Sequence, residues 1–278
     1  MTQHIQGTGT GEHSKSTNKS AQSLKGYVLA IAAACGWSTG GLISNLLMTK
    51  PSAATSDWLI KPFGAVINPT VLSGARAFIA TIILGIFLAF FKRKSFKLKN
   101  PASDLLFLVP FGALALAGMH FSYFKAISTS NVTTAILLEY LAPVLTLFYG
   151  VCVLKHKVSW RMPLGVALSI LGCAVVVGAF SPGGLLISHA GLIWGLIAAF
   201  FFALYSTMGG RGGVRFSPFT LLFYGLLFAA VMWLIVLGPH TVISAFSQPK
   251  VGLAIVVIAS ISTIIPFAAY LHALKYIS

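Results

Sequence analysis

Acidic residues are almost missing from this chain: four Asp and Glu stand against nineteen Lys and Arg in 278 residues. Charged residues of both signs make up only 8%, whereas soluble domains carry about 25%. That scarcity excludes an ordinary water-facing surface. Cysteine is scarce as well. Cys35, Cys152 and Cys173 fall within apolar runs and show no metal-ligand spacing, so they read as small buried hydrophobes and no metal is expected. Short segments of alternating apolar and polar residues, the mark of a β-barrel, are lacking. Catalytic patterns are lacking too: there are no paired carboxylates, no His-x-x-x-His, and no Gly-x-Ser-x-Gly with a base at matching depth. A rival reading as an intramembrane transferase or protease therefore lacks its chemistry, and no enzyme is expected. The stretch GTGTGEHSKS has no Gly-Lys-Ser/Thr ending and no preceding strand, so it is not a phosphate loop and no cofactor is expected.

What is present is apolar length. Hydrophobic residues are 57% of the chain, and runs of about 20 residues, enough to cross a bilayer as a helix, recur from end to end. The chain reads as an all-α polytopic membrane protein with eight spans at 27–48, 70–91, 105–127, 131–154, 162–180, 190–209, 217–238 and 251–275. Residues 1–25 are polar and read as a disordered tail, and the first span as an uncleaved anchor.

The net charge of +15 does not indicate nucleic acid, because the basic residues cluster in the connections between spans. With the N-terminus in the cytoplasm, fourteen of them lie inside, including Lys92, Arg93, Lys94, Lys97 and Lys99. Four lie outside, and Arg76 is left within a span. That asymmetry orients a multi-pass protein of the cell membrane. Three local readings are structural. GGRGGV at 209–214 is a flexible loop, Gly165, Ser169 and Cys173 form a helix-packing stripe, and the tryptophans are interfacial anchors.

The chain also repeats itself. Tyr123-Phe-Lys-Ala-Ile-Ser128 resembles Ala273-Leu-Lys-Tyr-Ile-Ser278 at an offset of 150, and Asn68-Pro69 matches Ser217-Pro218 at 149. Gly26 and Gly191, at the openings of spans one and six, are 165 apart, which fits an insertion around 49–66. Spans one to three thus correspond to spans six to eight. An odd number of spans separates the copies, so they are inverted in the membrane, as in secondary transporters. The division expected is 1–25 as tail, 26–180 as a first five-helix repeat and 190–278 as a second repeat with three helices. By this comparison the chain ends two spans short of a second full copy, which raises the alternative of a non-transporting remnant or binding subunit.

The residues 26–278 resemble the EamA-type branch of the drug/metabolite transporter superfamily. The resemblance rests on the repeat, on Gly36-Trp37-Ser38, on Arg76 in Ser73-Gly-Ala-Arg-Ala-Phe, on Phe124-Lys-Ala-Ile-Ser, on Leu138-Glu-Tyr-Leu-Ala-Pro143-Val and on Leu164-Gly-Val-Ala-Leu-Ser-Ile-Leu-Gly172. It implies an inverted-repeat fold of five plus five helices, here about eight of ten, and alternating-access export or exchange of small metabolites. The substrate it implies is amino-acid-like or drug-like. Two departures stand out: Gly-Trp replaces the family's usual Trp-Gly, and Lys155-His156-Lys157 stands where members commonly have Gly-Glu-Arg.

Within the spans, the ionisable residues converge in depth. Arg76 lies seven residues after Pro69, Glu139 eight after Asn131, and His120 eight before Ser128. At about 1.5 Å per residue, all three sit about 10–12 Å below one membrane surface. Ionisable residues at such depth default to a functional role. Glu139 reads as a proton site or counter-ion for a cationic solute, with an ion pair to Arg76 as its structural alternative. His120 reads as either a packing residue or a cavity-lining proton acceptor. Tyr123 and Tyr140 are candidate cavity walls, and Pro143 frees a backbone carbonyl beside Glu139. The partners expected are a small-molecule substrate and the bilayer; the composition says nothing of oligomeric state.

Overall fold

The computed structural model describes residues 10–48, 67–155, 157–176, 180 and 188–277, with side chains from Gln22 onward. Among these residues there is no strand. The long helices are α1 (Thr10–Met48), α2 (Pro69–Phe91), α3 (Pro101–Thr129), α4 (Val132–Val153), α5 (Arg161–Val176), α6 (His189–Arg215), α7 (Pro218–Leu237) and α8 (Pro249–Tyr276). Seven of them are long and apolar enough to cross a membrane; α5 is shorter, at 16 residues. In hydrocarbon every backbone polar group needs an internal partner, which helices supply within one segment.

The helix starts are chemically marked. The Asn68 side chain accepts from Thr70 N at 3.0 Å and Ser217 Oγ from Thr220 N at 3.1 Å, each followed by a proline at the first helical position. Asn131 and Ser188 cap α4 and α6 in the same way. Side-chain oxygens here satisfy amides that a helix start leaves open.

The helices pair according to the inverted repeat. α1 packs along α8, α3 along α6, and α2 along α7. Exchanging helices one to three with six to eight turns the first pair into the second and the third into itself. Each copy also carries a π-helical segment at the same repeat position, Phe111–Leu116 in α3 and Ser260–Ile264 in α8, starting 149 residues apart. Small residues line the pairings, as membrane interfaces require where lipid removes the hydrophobic drive between helices. Ala75, Ala77, Ala80, Ala198 and Ala199 are buried.

Several expectations need correction. Residues 209–214 are not a loop: GGRGGV forms the last turns of α6. Glycine weakens an isolated helix, but here it admits close neighbours. A Cβ on Gly212 would meet Leu221 and Phe107 at 2.8 and 2.9 Å. The polar tail is helical from Thr10, because extending a formed helix is far easier than nucleating one. In the Gly165–Ser169 stripe no described residue lies within 4 Å of a Cβ position on Gly165 or on Gly172 beyond it, and the Cys173 side chain lies outside the described set. Cys35 and Cys152 are exposed rather than buried. Trp37 is no interfacial anchor: its ring meets Phe202 at 5.7 Å and Phe267 at 5.1 Å in the interior. Trp233 is likewise buried, against Phe121. Trp58 and the expected insertion at 49–66 lie outside the described residues.

Candidate functional site

α4 is a broken helix. Its first part ends at Glu139, a turn spans Tyr140 and Leu141, and a second helical part starts at Ala142. Pro143 has no N–H to offer the carbonyl four residues back, that of Glu139. α8 repeats this device. Pro266 cannot pair with the Ser262 carbonyl, and the π-helical segment Ser260–Ile264 lies just before it. Both discontinuities border one cavity of about 770 Å3. All six sequence candidates, Arg76, His120, Tyr123, Glu139, Tyr140 and Pro143, line it.

Arg76 is buried, and its guanidinium is committed to protein partners. Nε donates to Thr263 Oγ1 at 2.6 Å, and Nη2 donates to the proline-freed Ser262 carbonyl at 3.5 Å. The Thr263 hydroxyl donates onward to the Ile258 carbonyl at 2.9 Å, five residues back across the π-segment. Nη2 also meets His120 Nε2 at 3.3 Å. A guanidinium only donates, so Nε2 is the acceptor and the imidazole carries its proton on Nδ1. His120 therefore has its acceptor nitrogen occupied, and its buried Nδ1 has no hydrogen-bond partner among the described residues. The Phe124 ring lies 5.2 Å from the guanidinium and stacks below it as a cation–π contact.

Glu139 stands differently. It attracts Arg76 across the cavity, yet no ion pair within 4.0 Å joins the two among the described residues. The ion-pair reading is thereby corrected: α8 supplies the oxygens that Arg76 uses, because the π-segment exposes them. The Glu139 carboxylate stays available to the cavity.

The opposite wall is aromatic. Trp37, Phe267 and Tyr270 pack ring to ring, with Trp37 and Tyr270 centroids 5.3 Å apart, and Tyr270 donates to Ser206 Oγ at 2.7 Å. The walls therefore come from α1, α2, α5, α6 and α8 as well as α3 and α4. Ser262, Thr263, Ser206 and Tyr270 carry no charge and were invisible as site residues in the sequence. Pro266, four residues after Ser262, was the legible signal. Gly40 and Gly41 admit this wall: a Cβ on Gly40 would overlap Ser262, and one on Gly41 would meet the Tyr123 hydroxyl at 2.6 Å.

The site is asymmetric between the repeats. Arg76 plus the 149-residue offset is Gly225, and there the ring of Phe111 fills the space at 2.9 Å from a Cβ position. The first copy supplies the cation of the polar network and the second supplies the oxygens that it meets.

The EamA-like transporter family model matches residues 24–178 and 189–278. An uncharacterized inner membrane transporter of Salmonella typhimurium, YicL, is 23% identical over 256 residues, covering 91% of this chain and 79% of the relative. An uncharacterized transporter of Bacillus subtilis, YxxF, is 29% identical over 158 residues, covering 56% and 49%. An S-adenosylmethionine uptake transporter of Rickettsia bellii is 22% identical over 209 residues, covering 75% and 65%. The matches thus span between about half and four fifths of these relatives. One solved crystal structure shares the fold with a TM-score of 0.62 at 20% identity, over 92% of this chain and 79% of its own.

Proposed function

The chain belongs to the EamA-like transporter family, and we propose that it moves a small amino-acid-like or cationic metabolite by rocking one inverted repeat against the other. The observation that carries this reading is the cavity itself. It lies between the two copies, is lined by broken helices from each, and holds a carboxylate, Glu139, that has no ion pair among the described residues, opposite an aromatic wall. Discontinuous helices at mid-membrane are how such transporters offer backbone groups to a solute. A carboxylate in a mostly apolar pocket selects for a cation, and aromatic faces add to that preference. The name of the Rickettsia relatives points the same way, since S-adenosylmethionine is an amino acid bearing a sulfonium cation. In this reading Arg76 and His120 hold the floor of the site, Tyr123 and Tyr140 shape its side, and Pro143 sets the bend that presents Glu139.

The sequence expectation is export, whereas the Rickettsia relatives are named for uptake. Flux measured in both directions in sided proteoliposomes decides between them. We orient the chain with its N-terminus in the cytoplasm, by the charge asymmetry of the connections; a reporter fused ahead of Met1 reads that orientation.

The test is counterflow of labelled S-adenosylmethionine and of cationic and neutral amino acids into proteoliposomes. Saturable flux that favours cations over neutral analogues is expected. Glu139→Gln is expected to abolish the preference and flatten the pH dependence. A variant that retains both refutes the role given to Glu139, and absence of flux for every solute supports the binding-subunit alternative.

A further inference from the structure

Another pocket, with none of the cavity's lining residues, lies at the membrane face where α2 ends, α3 begins, α6 ends and α7 begins. Its volume is about 240 Å3, and Lys94, Lys97 and Lys99 stand around it with the hydroxyl residues Ser95, Ser217 and Thr220 in its wall. The backbone that carries the lysines is pinned. Tyr224 OH donates to the Phe96 carbonyl at 2.9 Å, and Lys92 lies 4.5 Å over the Phe219 ring.

The pocket contains one carboxylate, Asp104, which is wholly buried and fully engaged. It pairs with Arg215, and its Oδ2 accepts from Asn100 N at 3.0 Å. Arg215 also donates to Ser103 Oγ at 2.6 Å. The acid and the arginine thus cancel one another, while the three lysines are exposed and form no ion pair among the described residues. A topology signal needs only positive charge somewhere in the connection; it does not need a concave, hydroxyl-lined site. Bare apolar surface also flanks the pocket. Phe90 and Phe91, at the end of α2, are 75% and 74% exposed, and Leu106, in the second turn of α3, is 80% exposed. In a bilayer these side chains meet acyl chains.

We propose that this pocket binds the phosphate headgroup of an anionic phospholipid, with its tails lying along Phe90, Phe91 and Leu106. Basic pockets between spans at the headgroup level suit that chemistry. A soluble phosphate would use the lysines and leave the apolar flank without a role. The inference does not depend on the transport reading.

Native mass spectrometry of the full chain in detergent tests it, with phosphatidylglycerol compared against phosphatidylcholine of the same acyl chains. Retention of the anionic lipid is expected, weakened roughly fivefold for each lysine neutralised, so that K94Q/K97Q/K99Q loses about a hundredfold. K94R/K97R/K99R is expected to retain binding, which separates loss of charge from loss of fold. K155Q/K157Q, at exposed lysines outside the pocket on the connection after α4, is expected to leave it nearly unchanged. Equal retention of both lipids, unchanged binding by the triple glutamine variant, or equal loss in K155Q/K157Q overturns the site. Full displacement by millimolar inorganic phosphate assigns it instead to a soluble anion and overturns the lipid.

Discussion

Arg76 on α2 donates its Nε hydrogen to Thr263 on α8 at 2.6 Å, and Thr263 passes a hydrogen on to the Ile258 carbonyl. One hydroxyl thus accepts from a buried cation of the first repeat and donates to a backbone carbonyl of the second. It ties the two halves together at the depth of the cavity floor.

Thr263→Val keeps the shape of that side chain and removes both bonds. A buried charged donor left without an acceptor costs about 1–3 kcal/mol, so a clear fall in the detergent melting temperature is expected. Thr263→Ser restores the hydroxyl and most of the stability. Equal melting of the valine and serine variants would show that the tie contributes nothing.

Glu139 has no ion-pair partner to lose among the described residues, so the isosteric Glu139→Gln is expected to fold and melt like the parent, within about 0.5 kcal/mol. Flux of a cationic solute is expected to fall at least tenfold all the same. A parallel loss of melting temperature and flux would mark Glu139 as a structural residue.

The glycines at the end of α6 are expected to answer alanine with opposite signs. Gly210 has nothing within 4 Å of a Cβ position, so Gly210→Ala is expected to stabilise the helix by about 0.5–1 kcal/mol. Gly212 is hemmed in by Leu221 and Phe107, and Gly212→Ala is expected to cost about 1–3 kcal/mol by overpacking. Thermal melts of the two variants check the contrast; a shift of the same sign in both contradicts the helical packing of this segment.

Arg211 Nη2 donates to Tyr149 OH at 2.6 Å and stacks on its ring, joining the ends of α4 and α6 beside the cavity. Removing that bond with Tyr149→Phe is expected to release about 1 kcal/mol, a roughly fivefold shift in the balance between closed and open forms. Spin labels at Val153 and Val214, both exposed, are expected to report a larger share of long distances. An unchanged distribution would remove Tyr149 from any gating role.

Membrane class, span positions, the inverted repeat and the six candidate residues were legible in the sequence, because each depends on local composition or on spacing along one helix. Asn68-Pro69 and Ser217-Pro218 announced helix starts through their own side chains. The partners of those residues were not legible. An ion pair between Arg76 and Glu139 was one alternative at their common depth; Arg76 meets Thr263 and His120. Which oxygen a guanidinium reaches depends on helix rotation and on a π-segment 187 residues away. The GGRGGV stretch shows the same limit: its composition favours a loop, but neighbours that need bare backbone to pack against make it helix.

The sequence by itself determined that this chain crosses a membrane repeatedly and folds as two opposed copies, since the cost of exposing charge and backbone to lipid leaves little else. Only the tertiary structure decided that Glu139 faces a shared cavity with no ion pair among the described residues and that Thr263 holds Arg76. It also decided that the polar network joins the two repeats. Those outcomes turn on contacts between helices, where ångström-scale packing chooses among partners that composition ranks as equals.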